Sequence, residues 1–231
     1  MKVYKHIFFD LDRTLWDLER NSEETLDDLY KQHSLDKHGV VSFRDFLDRY
    51  RTINDEMWKH YLRGDISKDV LRFGRFHKTF LHHGVNNKDL AKKFSEDYSY
   101  HAPRKKHLFE GTIDVLRYLQ GKYQLHIITN GFEEIQHVKM KHSGLTSYFT
   151  HIITSDRAGA QKPSRAIFEF ALQEAGAEKP ESIMIGDTYE VDIIGAMQAG
   201  VDQVYFNCTG DKKGKKCTYE IFELRSLMKF L

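Results

Sequence analysis

Four short apolar runs, each closing on a side chain that carries oxygen, restrict this chain to a small set of folds. They are His6 to Phe9 followed by Asp10, Gln124 to Asn130 (QLHIITN), Thr150 to Asp156 (THIITSD) and Ser182 to Asp187 (SIMIGD). Runs of this length, partly β-branched and without polar alternation, read as strands buried on both faces. A fifth segment, Asp202 to Asn207 (DQVYFN), follows the form less closely. Helical spacings lie between them: Ile113, Leu116 and Leu119; Ile135, Val138 and on to His142; Ile167, Phe168, Ala171 and Leu172; Ile193, Ile194 and Met197. Gly121, Gly144, Gly176 and Gly200 stand where helices end. Strand and helix alternating in this way predict an α/β fold, a mostly parallel sheet with right-handed crossovers and helices on both faces. Ligands of such sheets bind at the carboxyl ends of the strands.

The segment from Asn21 to Tyr100 breaks the alternation, because it contains no strand-like run and its apolar residues recur at helical spacing. It reads as an inserted helical lobe. Phe43, Phe46, Leu47, Tyr50, Met57, Trp58 and Tyr61 form one stripe behind Ser42 as N-cap. Val70, Leu71, Phe76 and Phe80 form a second after Ser67, and Leu90, Ala91, Phe94 and Tyr98 a third. Aromatic stripes of this kind are packing surfaces before they are substrate pockets.

With 231 residues, 40% hydrophobic and 30% charged, the chain can bury one sizeable core and carry a second lobe. A net charge of +1 provides no overall field for a nucleic-acid polymer or an anionic membrane, so any anion specificity is local. No apolar run approaches the roughly 20 residues of a membrane helix. The opening MKVYKHIFFDLD places acids where a secretory signal needs small residues, so a cytoplasmic location is expected. Cys208 and Cys217 lack the spacing of a zinc site and read as reduced, structural thiols, and the basic run GDKKGKK at 210–216 reads as a solvated loop.

The strand ends carry the residues capable of chemistry. Asp10 and Asp12, two apart, lie on one face and roughly 6 to 7 Å apart if the backbone stays extended; otherwise they cap the next turn. Asp187 closes another strand, with Asp192 five residues on, itself either a companion acid or the N-cap of the helix that follows. Converging carboxylates repel unless a cation lies between them, and hard oxygen ligands suit Mg2+. Thr129, Asn130 and Gly131 offer a hydroxyl, an amide and free N–H groups at a strand-to-helix turn, either a phosphate cradle or a simple turn. Lys162, before Pro163, can neutralise phosphoryl charge or merely be solvated.

Taken in order, DLDRT at 10–14, TNG at 129–131, KP at 162–163 and GDTYEVD at 186–192 resemble the haloacid dehalogenase-like hydrolase superfamily over nearly the whole chain. The resemblance is to its phosphatase branch and implies a Rossmann-like catalytic core, residues 1–16 and 101–231, with an all-helical cap domain over 17–100. It implies that Asp10 attacks phosphorus, that Asp12 protonates the leaving oxygen and then activates water, and that Mg2+ is held by Asp10, the Asp12 carbonyl and Asp187, with Asp192 in support. Thr129, Asn130, Gly131 and Lys162 would hold the phosphoryl oxygens. Asp12 favours a phosphatase over a 2-haloacid dehalogenase, which has no alkoxide to protonate; a non-catalytic binding module of the same fold is a third reading, against which the intact acids argue. FFDLDRTLWDLERNS at 8–22 and LRGDISKDVLRFGRF at 62–76 are similar to the pyrimidine 5'-nucleotidase group, with Arg63, Gly64 and Trp16 as candidates near the leaving group. Arg13 either bends over the entrance or faces solvent. The implied partner is a small phosphorylated metabolite, with the protein a monomer or weak dimer.

Overall fold

The computed structural model describes residues 3–210 and 216–231, so most of the basic run at 210–216 lies outside the described residues. In chain order, strand β1 (His6–Phe9) is followed by four helices, α1 (Leu18–Gln32), α2 (Phe43–Leu62), α3 (Lys68–His82) and α4 (Lys88–His101). Then come α5 (Thr112–Leu119), β2 (Gln124–Thr129), α6 (Glu133–His142), β3 (His151–Thr154), the single turn α7 (Ser155–Ala158) and α8 (Arg165–Ala175). Strand β4 (Ser182–Gly186) leads through a π-helical turn (Tyr189–Ile193) into α9 (Ile194–Ala199), and β5 (Asp202–Phe206) and β6 (Tyr219–Ile221) complete the set.

The chain divides into two compact units, one of Met1–Leu18 with Lys106–Leu231, the other of Glu19–Lys105. The boundary expected after residue 100 falls within α4, which runs on through His101.

In the first unit all six strands are parallel, in the order β3-β2-β1-β4-β5-β6. The short edge strand β6 was not legible in the sequence, because three residues carry too little periodicity. Strand β1 is fully buried, since it is central and covered on both faces. Its alternation serves two cores. Ile7 and Phe9 join Ile127, Ile183, Ile185 and Val204 beneath Val115, Leu116 and Leu119 of α5 and Leu224 and Leu227 near the carboxyl terminus. Phe8 joins Ile128, Ile153 and Met184 beneath Ile167, Phe168 and Ala171 of α8 and Ala196 and Ala199 of α9. From β1 the strand order runs outward through β2 and β3, then returns to β4 on the other side of β1. This reversal opens a crevice between the carboxyl ends of β1 and β4, where Asp10 and Asp187 emerge.

The second unit contains no strand. Ser42 caps α2 by accepting from the Asp45 N–H at 3.3 Å, Ser67 caps α3 through Val70 at 3.3 Å, and Asn87 caps α4 through Leu90 at 3.0 Å. Phe46, Phe76, Phe80 and Phe94 are fully buried in its core with Leu26, Leu29 and Ala91. Val70, expected on the buried stripe, is 49% exposed, because it lies in the first turn of α3 away from that cluster.

Candidate active site

Two strand ends, a π-helical turn and one loop deliver the acids and the base. The Asp10 N–H donates to the Ile185 carbonyl at 2.9 Å, which continues the β1–β4 pairing one residue beyond the strand and fixes where the Asp10 side chain begins. Asp187 follows β4 directly, and Asp192 sits inside the π-helical turn with its side chain directed back at that strand. A Cβ on Gly186 would lie 2.5 Å from Asp192 Cβ, Cγ and Oδ2, so only glycine lets the acid approach the strand end so closely. Asp192 is therefore not the N-cap of α9; its Oδ2 accepts from the Thr188 N–H at 3.0 Å.

The Lys162 ammonium is 2% exposed and spends its three protons on Asp10 Oδ1 at 2.6 Å, Asp192 Oδ1 at 2.6 Å and the Ile128 carbonyl at 2.8 Å. Its backbone is clamped by one side chain. Asn130 Oδ1 accepts from the Lys162 N–H at 2.7 Å, and Asn130 Nδ2 donates to the Lys162 carbonyl at 2.9 Å. The amide expected to hold phosphate is thus engaged in holding Lys162.

Asp10, Asp187 and Asp192 each offer an oxygen within 4.8 Å of the others. Burial drives the Asp10 carboxyl well above the usual carboxylate range; Lys162 opposes this, while Asp192 and Asp187 add to it. Asp187 is pushed up to about 6 by burial and by Asp192, against the pull of Arg13 and Lys162. Burial alone would lower Lys162, but Asp10 and Asp192 outweigh it and raise it. Asp187 is held by Thr14 Oγ1 and Thr188 Oγ1, each at 3.2 Å. Three crowded carboxylates facing one ammonium leave an excess of negative charge, and hard oxygen donors in that state suit a divalent cation such as Mg2+.

The side chain of Asp12 is not in this group. The strand ends at Phe9, and the extended backbone needed to align Asp10 with Asp12 does not continue. The Asp12 carboxylate turns to α6, where Lys139 Nζ donates to Oδ1 at 2.6 Å and to Oδ2 at 2.7 Å, and Gln136 Nε2 donates to Oδ2 at 2.9 Å. Gln136 Nε2 also donates to Thr129 Oγ1 at 2.7 Å, and that hydroxyl accepts from the Gly131 N–H at 3.1 Å. The carboxylates that converge are those of Asp10, Asp187 and Asp192, and the Asp12 carboxylate stands apart from them. In sequence Gln136 and Lys139 look solvent-facing, because the apolar Ile135 and Val138 suggest a different buried face for α6. Those two are only half-buried, and α6 buries Gln136, Lys139 and Met140 instead. Polar residues three apart on one helix face were the available signal.

Of the remaining candidates, Trp16 and Arg13 belong to the first unit and Arg63 and Gly64 to the second. Trp16 is 1% exposed in the core of the first unit, with Lys139 Nζ 4.5 Å from its ring centroid. Arg13 is half-buried, with φ of 64°, a left-handed conformation uncommon outside glycine, and its charge acts on Asp187. Arg63 belongs to the helical unit, exposed at the carboxyl end of α2, and Gly64 after it has φ of 80°, a turn that suits glycine for its backbone alone.

A parallel sheet with acids and a buried lysine gathered at its switch point places the chain in a class that the family comparison names. The chain belongs to the haloacid dehalogenase-like hydrolases, whose family model matches residues 4–200. Among curated relatives, pyrimidine 5'-nucleotidase PynA of Streptococcus pneumoniae is 31% identical over 229 residues, 97% of this chain and 94% of the relative. Pyrimidine 5'-nucleotidase YjjG of Escherichia coli is 31% identical over 202 residues, 87% of this chain and 85% of the relative. Among solved structures, the HAD-hydrolase YfnB of Bacillus subtilis bound to magnesium superposes with a TM-score of 0.88 at 27% identity, covering 99% of this chain and 98% of that one. No helix among the described residues is long and apolar enough to cross a membrane.

Proposed function

We propose that this chain is a Mg2+-dependent phosphomonoester hydrolase acting through an aspartyl-phosphate on Asp10, with pyrimidine nucleoside 5'-monophosphates as its substrates. The observation that carries the chemistry is the Lys162 ammonium buried 2.6 Å from Asp10, with Asp187 and Asp192 beside it. The substrate class is suggested by the two nucleotidase relatives.

An Asp10 carboxylate oxygen attacks phosphorus as the bond to the leaving oxygen breaks. That oxygen keeps the electron pair and takes a proton from Asp12. Water then attacks phosphorus, Asp12 accepts its proton, and the bond to Asp10 breaks to release phosphate. Lys162 neutralises charge on the phosphoryl oxygens and on Asp10. Thr129, whose hydroxyl keeps a proton to donate, receives those oxygens beside the turn at Asn130 and Gly131, where the Gly131 N–H is engaged by Thr129 Oγ1 and the Asn130 side chain keeps Lys162 in register. Asp10, Asp187 and Asp192, with the Asp12 carbonyl, would hold Mg2+, which supplies Lewis-acid stabilisation of phosphoryl charge.

The test is phosphate release across UMP, dUMP, dTMP, purine nucleotides, phosphoglycolate and sugar phosphates, with and without EDTA. Preference for the pyrimidines, abolished by EDTA and by Asp10→Asn, is the expected result. Normal turnover of p-nitrophenyl phosphate by a folded Asp10→Asn variant would overturn covalent catalysis by Asp10.

A further inference from the structure

Lys139 is a buried cation outside the Asp10–Lys162 group, and the chemistry above assigns it nothing. Its side chain is 9% exposed, and its ammonium lies between the Trp16 ring and the two oxygens of Asp12. Burying an ammonium costs several kcal/mol unless its partners are well placed, so a residue of this kind at the helix–sheet junction calls for a partner that repays it. Gln136, one helical turn before, is also buried, and its single amide nitrogen bridges Asp12 and Thr129. Its Oε1 is buried without a hydrogen-bond partner among the described residues, so the amide is oriented by what its nitrogen donates to. Three N–H contacts therefore determine where the Asp12 carboxylate points, and all three come from α6.

We infer that Lys139 and Gln136 are positioning residues for Asp12, presenting its carboxylate from α6 and tying its orientation to the Thr129 cradle. This rests on the reading of Asp12 as the proton donor and acceptor. The cation–π contact with Trp16 keeps the Lys139 head from following solvent, so Asp12 meets a fixed charge. An unanchored carboxylate would sample several rotamers and reach the leaving oxygen in only a fraction of encounters.

Proton transfer matters most for poor leaving groups, which provides the test. In kcat/KM, which reports attack by Asp10 and departure of the leaving group, UMP expels an alkoxide that needs a proton, whereas p-nitrophenyl phosphate expels a phenolate that needs little. General acid catalysis contributes about 10²- to 10⁴-fold, so loss of positioning should remove on the order of tenfold or more of it. Lys139→Met is expected to lower kcat/KM for UMP at least about tenfold more than for p-nitrophenyl phosphate, Lys139→Arg to recover part of the loss, and Lys139→Met added to Asp12→Asn to cost nothing more. Gln136→Leu should show the same pattern at smaller size, and it serves if Lys139→Met does not fold. Equal losses on both esters, an undiminished loss in the Asp12→Asn background, or faster UMP turnover would each overturn the inference. Asp12→Asn alone tests the reading beneath it: wild-type rates on both esters would remove Asp12 from proton transfer, whereas an ester-selective defect in Asp12→Asn without one in Lys139→Met would reject only the positioning role.

Discussion

Acidification should destabilise this fold through one buried ring. His126, on β2, is 0% exposed and stacked between rings on both neighbouring strands, with centroids 4.8 Å from Phe8, 5.5 Å from His6 and 5.3 Å from His151. Its Nε2 meets His6 Nδ1 at 3.2 Å, and its Nδ1 has no hydrogen-bond partner among the described residues. Burial, aided by His6 and His151, lowers its pKa from an ordinary 6.5 to about 3. Across that interval the unfolded chain binds a proton at His126 and the native chain does not, so stability falls as pH falls. Between about pH 7.5 and about pH 5.5 the unfolded ring goes from about one-tenth to about nine-tenths protonated, which removes about 1.4 kcal/mol of stability. His6, also lowered by burial, with Lys5 adding to the effect and Glu181 opposing it, contributes with the same sign. The chain has 13 histidines, so the informative quantity is the difference between wild type and His126→Gln in urea unfolding curves at the two pH values. The variant should lose about 1.4 kcal/mol less than wild type on acidification. Parallel pH profiles for the two proteins would refute the assignment of this proton to His126.

Two further outcomes follow from the site. Lys162→Met leaves Asp10 and Asp192 buried without their cation, so unfolding by denaturant should show a loss of about 3 to 5 kcal/mol, and a loss under about 1 kcal/mol would mean the pair is worth little in the fold. Gly131→Ala would place a Cβ 2.0 Å from Gln136 Nε2, so this amide must leave both Asp12 and Thr129. Steady-state kinetics should then show a fall in kcat/KM, larger for UMP than for p-nitrophenyl phosphate, on the order of tenfold or more; unchanged kinetics would show that the amide contributes nothing to either residue.

The alternation of apolar runs with helical spacings determined the parallel sheet, and the acids at the run ends determined that Asp10 and Asp187 emerge at its carboxyl edge. Those properties follow from local chemistry, because a strand buried on both faces must be apolar throughout and can only release a charge where it ends. Helix capping in the inserted segment was legible for the same local reason, as Ser42 and Ser67 illustrate. Which carboxylates share one space was a tertiary decision. Asp192 reached the group because Gly186 leaves room for it, and Asp12 left it because α6 rolled its polar face inward. Asn130 looked like a ligand for an anion until the loop carrying Lys162 folded against it. A polar side chain has one appearance in sequence whether it will meet substrate or a neighbour; only packing chooses its partner, and a buried donor or acceptor takes whichever one the fold brings within reach.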